Sequence, residues 1–265
     1  MATKENPYQP PNESEFKNGL DANRLDRPPA ATSDWLALGF TMLIPTVVTF
    51  VYFQWLKDSD SSFQQTAYGI GKAIQFGFPI AWVLIWYRHK LNRSGDADTK
   101  QIWIGIGFGL LVVATMFAIY FLLIQPSEVA AGLTEMVKEK VSGLGVDSIW
   151  KYFGLGCFYA LGHSFLEEYY WRWFVFDYLK KFTSTWMANI LSSLGFMAHH
   201  VILLAFFFGW GSPLTYLFSL CIAVGGMFWA WQYHRTGRLI APWISHMIVD
   251  AGIFGLGYFL IRDIL

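Results

Sequence analysis

The sequence places two adjacent carboxylates, Glu167 and Glu168, directly after the apolar stretch Tyr152 to Leu166, and Arg172 four residues beyond the second. On a helix, Glu168 and Arg172 share a face in the favoured acid-before-base order, while Glu167 points about 100° away. Glu168 is therefore expected to be neutralised by Arg172, which leaves Glu167 free to face a cavity, with His163 one turn before it on the same side. Burial disfavours a charge on Glu167 and the nearby guanidinium favours it. Those opposing influences bring a carboxylate to general-base duty.

Two further polar groups interrupt apolar sequence in the same way. His199 and His200 lie inside Phe182 to His234, a stretch without Asp, Glu, Lys or Arg, and His246 and Asp250 lie four apart in the last apolar segment. Phe196 and His200 have the same four-residue spacing. An ionisable side chain in mid-bilayer costs about 2.5 to 3.5 kcal/mol on insertion scales, so such residues point to function. A structural reading exists for each: a Glu-Arg pair can be a simple bridge, and a lone membrane histidine a satisfied hydrogen-bonding core residue. Three such clusters together are harder to assign to structure alone. His234, Asp177 and His89 fall near helix ends and read as interfacial.

The elements that must position these groups are membrane helices. Of 265 residues, 54% are hydrophobic, 19% aromatic and only 14% charged, against about 25% charged in an average protein. With 19 Lys plus Arg balancing 19 Asp plus Glu, no net field draws nucleic acid. Cys157 and Cys221 stand in apolar runs without Cys-x-x-Cys spacing, which excludes a disulfide framework and a cysteine-rich zinc site.

A span needs about 20 mostly apolar residues. Trp35 to Leu56 and Ile102 to Ile124 supply one each, and Phe182 to His234 supplies two with a turn at Gly209 to Pro213. Stretches at about 66–88, where Lys72 can snorkel and Pro79 can kink the helix, 150–180 and 239–261 supply the rest. The expected fold is all-α, a polytopic membrane helix bundle of seven transmembrane helices, or eight if 150–180 breaks near Ser164.

The expected organisation is a disordered cytoplasmic tail over 1–34 with no secretory signal, N-terminal spans over 35–125, an amphipathic interfacial segment over 126–147, and a functional membrane domain over 148–265. Lys and Arg concentrate in alternate loops (Arg88, Lys90, Arg93 and Lys100; Lys180 and Lys181; Arg235 and Arg238), which predicts a multi-pass protein with its N-terminus in the cytoplasm. The single Gly105 to Gly109 pair is too common a pattern in membrane helices to predict a dimer.

Taken in order, Glu167 Glu168 x x x Arg172, Phe196 x x x His200 and His246 x x x Asp250 resemble the three motifs of the CPBP family. This family comprises the CAAX proteases and bacteriocin-processing enzymes, also called Abi proteins. The resemblance covers about residues 150 to 255, including Arg235 Thr236 Gly237 Arg238 Leu239. It implies an intramembrane glutamic endopeptidase similar to the type II CAAX prenyl protease, acting on membrane-associated protein or peptide substrates in the lipid bilayer, without cofactor or metal.

Carried over by position, the resemblance makes Glu167 the general base, His200 the residue that orients water, Glu168 and Arg172 the pair that holds the helix, and His246 and Asp250 the oxyanion stabilisers. Asp250 departs from the prenyl-protease branch, which has Asn there. An ionised Asp would repel an oxyanion, so it must be protonated, pair with His246 or act otherwise. The doubled His199 His200 leaves two histidines for the second motif, and the Phe-x-x-x-His spacing selects His200.

Three other readings remain at this stage. A zinc hydrolase could use the histidines and a carboxylate, but no His-Glu-x-x-His is present. A proton-coupled transporter could use them as a relay, but no repeated halves are visible. A non-enzymatic scaffold or immunity protein would have no need of a free carboxylate.

Overall fold

The computed structural model describes residues 31–86 and 99–265. The expected tail, apart from its last residues, and the loop holding Arg88, His89, Lys90 and Arg93 lie outside the described residues. All regular elements among the described residues are helical. Helix α1 is Thr32–Phe50, extended by a π-helical turn, Val51–Trp55; α2 is Ser61–Trp86; α3 is Thr99–Ile119, extended by a second π turn, Tyr120–Ile124. The amphipathic α4, Val129–Gly143, follows.

A continuous helical rod comes next. It runs through α5 (Ile149–Cys157), a π segment (Phe158–His163), α6 (Ser164–Glu168), a second π segment (Tyr169–Phe176) and α7 (Asp177–Leu179). Three long helices complete the bundle: α8 (Thr185–Phe208), α9 (Pro213–Thr236) and α10 (Ile240–Ile261).

Six helices among the described residues are long and apolar enough to cross a membrane: Thr32–Trp55, Ser61–Ile85, Thr99–Ile124, Thr185–Phe208, Pro213–Thr236 and Ile240–Ile261. Local sequence sets several of their ends. Ser184 caps α8 by accepting from the Met187 N–H, and Ser212 caps α9 with Pro213 in its first turn. Gly209 (φ 87°) and Gly237 (φ 63°) take the left-handed positions that close α8 and α9.

The rod from Ile149 to Leu179 is not among the six, because Glu167, Glu168 and Arg172 interrupt its apolar sequence. It does not break near Ser164, so eight helices are not formed. Ser164 is fully buried and turns its hydroxyl onto the Ala160 carbonyl one turn back. At about 1.5 Å per residue the rod offers some 46 Å of helix, enough for a further crossing. The π segments on both sides of α6 widen the helix where the acidic pair sits, a feature often found at functional sites.

The core gathers around the rod. Tyr170, Trp171, Phe174, Val175 and Phe176 pack with Ala37 and Leu38 of α1, Phe196 of α8 and Trp229 and Tyr233 of α9. Helices α3 and α10 approach closely because α3 is glycine-rich on that face: a Cβ at Gly109 would stand 2.9 Å from the Ser245 carbonyl oxygen, and one at Gly105 2.8 Å from that of Ala241. The Gly105/Gly109 pair thus joins α3 to the helix bearing His246 and Asp250. Gly109→Val should push α10 outward. We expect at least a tenfold loss of activity and a lower thermal midpoint in detergent, whereas Gly107→Val, at a position with open space around it, should leave both unchanged.

Helix α4 lies across one end of the bundle. Its Lys140 ammonium sits 3.9 Å from the Tyr52 ring centroid and 5.0 Å from that of Phe53, and burial pushes its pKa down to about 8. Lys138 pairs with Asp263 at 2.6 Å, and Gln65 donates to the Gly143 carbonyl at 3.0 Å.

Candidate active site

The rod brings Glu167 and Glu168 into the bundle on different faces, and both are almost completely buried (2% and 0% exposed). Glu168 has two partners at one oxygen: Arg172 Nη1 forms an ion pair with its Oε1 at 3.0 Å, and His246 Nδ1 donates to the same oxygen at 2.8 Å. Arg172 is itself enclosed. Its Nη2 donates to the Gly226 carbonyl at 3.3 Å, and its guanidinium lies over the rings of Phe196 and Trp229 at 4.7 and 5.2 Å. One ion pair therefore ties the rod to α8, α9 and α10.

Glu167 has different surroundings. Among the described residues no Arg or Lys pairs with it; three imidazoles do. Its Oε1 lies 3.5 Å from His199 Nε2 and 3.7 Å from His163 Nε2, and its Oε2 lies 3.8 Å from His246 Nε2. His163 and Asp250 keep partial exposure, 17% and 14% of their side chains.

The orientation of the imidazoles follows from their partners. A carboxylate accepts, so His246 donates Nδ1–H to Glu168 and turns Nε2 toward Glu167 and toward Asp250 Oδ1 at 3.6 Å. The Trp229 indole stacks on this imidazole at 4.2 Å and 14°. His200 Nδ1 lies 2.8 Å from the Phe196 carbonyl; it must be the donor, leaving Nε2 with its lone pair. His199 is buried, stacks parallel to Trp171 at 5.8 Å, and has neither ring nitrogen within hydrogen-bond geometry of a protein partner.

The six residues singled out from the sequence, Glu167, Glu168, Arg172, His200, His246 and Asp250, thus converge from the rod, α8 and α10. The Phe-x-x-x-His spacing picks out His200, but His199 is the one whose Nε2 stands in ion-pair range of Glu167. The ligand atoms of Glu167, His199 and His200 all lie within 4.8 Å of one another. These three could hold a divalent cation such as zinc through one carboxylate and two imidazoles, with further positions open.

Sequence reasoning passed over Lys72, expecting it to snorkel to the interface. It lies halfway along α2, over the rings of Tyr68 and Phe76 at 5.4 Å each. Phe76 packs edge-on against His163 at 6.1 Å. A signal existed in the sequence, since Lys72 is the sole charged residue of Ser61–Trp86. Trp171 and Trp229 were also passed over, because 13 Trp and 24 Phe in one chain give no way to tell ring stacks from core.

These features define a polytopic helical membrane protein with a carboxylate–imidazole cluster enclosed among its helices. Residues 148–252 match the family model described as Type II CAAX prenyl endopeptidase Rce1-like, and the matched segment begins just before the rod and ends two residues past Asp250. Over that segment, 105 of 265 residues, the chain is similar to the CAAX protease (CPBP) family of membrane proteases. No curated protein and no solved structure matches it.

Proposed function

We propose that this protein is an intramembrane endopeptidase in which Glu167 activates water against a peptide carbonyl. The observation that carries the reading is the asymmetry of the acidic pair: Glu168 is held by Arg172 and His246, while Glu167 faces imidazoles only. A carboxylate committed to a guanidinium cannot readily take a proton. One flanked by imidazoles can take it and share it.

As the water oxygen bonds to the carbonyl carbon, its proton passes to Glu167. His199 and His200, adjacent on α8 and both within reach of this carboxylate, hold the water. His246 is fixed by Glu168 through Nδ1 and presents Nε2–H to the oxyanion, and Asp250, 3.6 Å from that nitrogen, favours its charged form. An acid at position 250 is then compatible with an oxyanion, since it acts through His246. Collapse of the tetrahedral intermediate breaks the C–N bond, and the proton held by Glu167 moves to the leaving amine. Donors preorganised in a water-poor site are worth a few kcal/mol of barrier.

The proposed substrates are membrane-associated proteins or peptides, with prenylated CAAX tails the class suggested by the family match. The basic loops support an orientation with the N-terminus in the cytoplasm.

The Glu167–His199–His200 grouping favours a second reading, a metal-assisted hydrolase. Purified protein in proteoliposomes, stripped with a strong chelator and then dialysed free of it, separates the two. The glutamic mechanism predicts cleavage of reconstituted membrane-protein substrates at an unchanged rate. Loss of cleavage that added zinc restores would establish the metal reading instead.

A further inference from the structure

Glu167 is loosely held by its neighbours, since its three imidazole contacts lie at 3.5 to 3.8 Å. Its place in the bundle is therefore set through the backbone of the rod. On the Glu168 side the rod is fastened by Arg172 and His246. A second fastening lies within one turn of Glu167: Tyr170, completely buried, donates its hydroxyl to the Thr41 carbonyl of α1 at 2.6 Å.

The sequence of α1 explains why that carbonyl is available. In an unbroken helix it would accept from the N–H of residue 45, but residue 45 is a buried proline, which has none. Thr41 is itself fully buried, and its own hydroxyl turns back onto the Ala37 and Leu38 carbonyls. A buried carbonyl without a donor is costly, and Tyr170 supplies the donor from another element. Any other residue at 45 would satisfy Thr41 within α1 and spare the helix the break that proline imposes. The combination makes sense when the carbonyl is kept open for the rod.

We propose that Tyr170 is a positioning residue for peptide hydrolysis: seated on the carbonyl that Pro45 frees, its hydroxyl fixes the rotation of the rod and with it the place of Glu167. This rests on the reading of Glu167 as general base and adds the contact that aligns it. Such a contact is needed here because π segments flank α6 on both sides, and the helical register around the acidic pair departs from the regular 3.6-residue turn. A displacement of about 1 Å at a reacting group can cost about a hundredfold in rate.

The test uses full-length protein in lipid nanodiscs and a quenched fluorescent peptide with an S-prenyl cysteine four residues from its C-terminus. Rates are referred to the monodisperse fraction, and thermal midpoints are measured alongside. Tyr170→Phe should lower kcat at least tenfold with KM within threefold of wild type, and should lower the midpoint because the Thr41 carbonyl loses its donor. Adding Pro45→Ala supplies an N–H to that carbonyl inside α1. The double variant should regain the wild-type midpoint while its kcat stays as low as that of Tyr170→Phe. Recovery of kcat together with the midpoint would show that the hydroxyl only satisfies a carbonyl, and would overturn the proposal. Wild-type kcat in Tyr170→Phe would overturn it too, as would a double variant no more stable than Tyr170→Phe. Failure of the Glu167 reading would show separately, as cleavage by Glu167→Gln, which leaves Tyr170, Thr41 and Pro45 in place.

Discussion

Glu167→Gln is expected to lower the rate of peptide hydrolysis by about a thousandfold, in keeping with the 10² to 10⁴ that a positioned general base contributes, without loss of the fold. The amide keeps the size and shape of the carboxylate and can still meet His163, His199 and His246, which now lie 3.5 to 3.8 Å from its oxygens, but it cannot accept the proton of the attacking water. Among the described residues no guanidinium or ammonium pairs with Glu167, so neutralising it leaves none of them buried without its partner. The thermal midpoint in detergent should therefore stay within a few degrees of wild type. Retained activity would remove Glu167 from its role.

The opposite profile is expected at Arg172. Breaking a buried pair from one side costs about 3 to 5 kcal/mol, because the remaining charge has no compensation. Glu168, with no exposed surface, would keep only His246 as a partner, and the rings of Phe196 and Trp229 would lose the cation between them. That cost is comparable with the whole stability of many domains. Arg172→Ala should yield little monodisperse protein by size-exclusion chromatography, and its thermal midpoint should fall by ten degrees or more.

The double variant Glu168→Gln/Arg172→Met should recover much of the stability, since a buried pair replaced on both sides is often neutral. It should recover none of the activity, because His246 loses its carboxylate partner. An Arg172→Ala protein as stable as wild type would show that the pair does not hold the rod to α8, α9 and α10.

The helices were legible from the sequence because apolar run length reports directly on what a bilayer tolerates. Gly209 to Pro213 marked the α8–α9 turn, and the 126–147 segment contains the amphipathic α4, Val129–Gly143. Within one helix the spacing was equally informative: Glu168 and Arg172, four apart, do pair at 3.0 Å.

Contacts between helices were not legible. The bond from His246 to Glu168 joins residues 78 apart, and no periodicity within α10 or the rod encodes it. The choice between His199 and His200 illustrates the same limit: the Phe196 spacing fixes which imidazole shares its helix face, but which one meets Glu167 depends on how the rod is rotated, and two π segments alter that rotation around α6. The surroundings of Lys72 were hidden for a related reason. Snorkelling is the default for a lone lysine near a helix end, whereas its position at mid-helix and the rings around it emerge only when α2 is packed against the rod.

The central claim is that Glu167 makes this chain a protease. Terminal-peptide proteomics on membranes containing wild-type or Glu167→Gln protein at matched levels tests it without a prior choice of substrate. The account predicts new protein termini near membrane boundaries in wild-type membranes only, persisting after chelator treatment. Identical termini in the two samples, with both proteins folded, would contradict it.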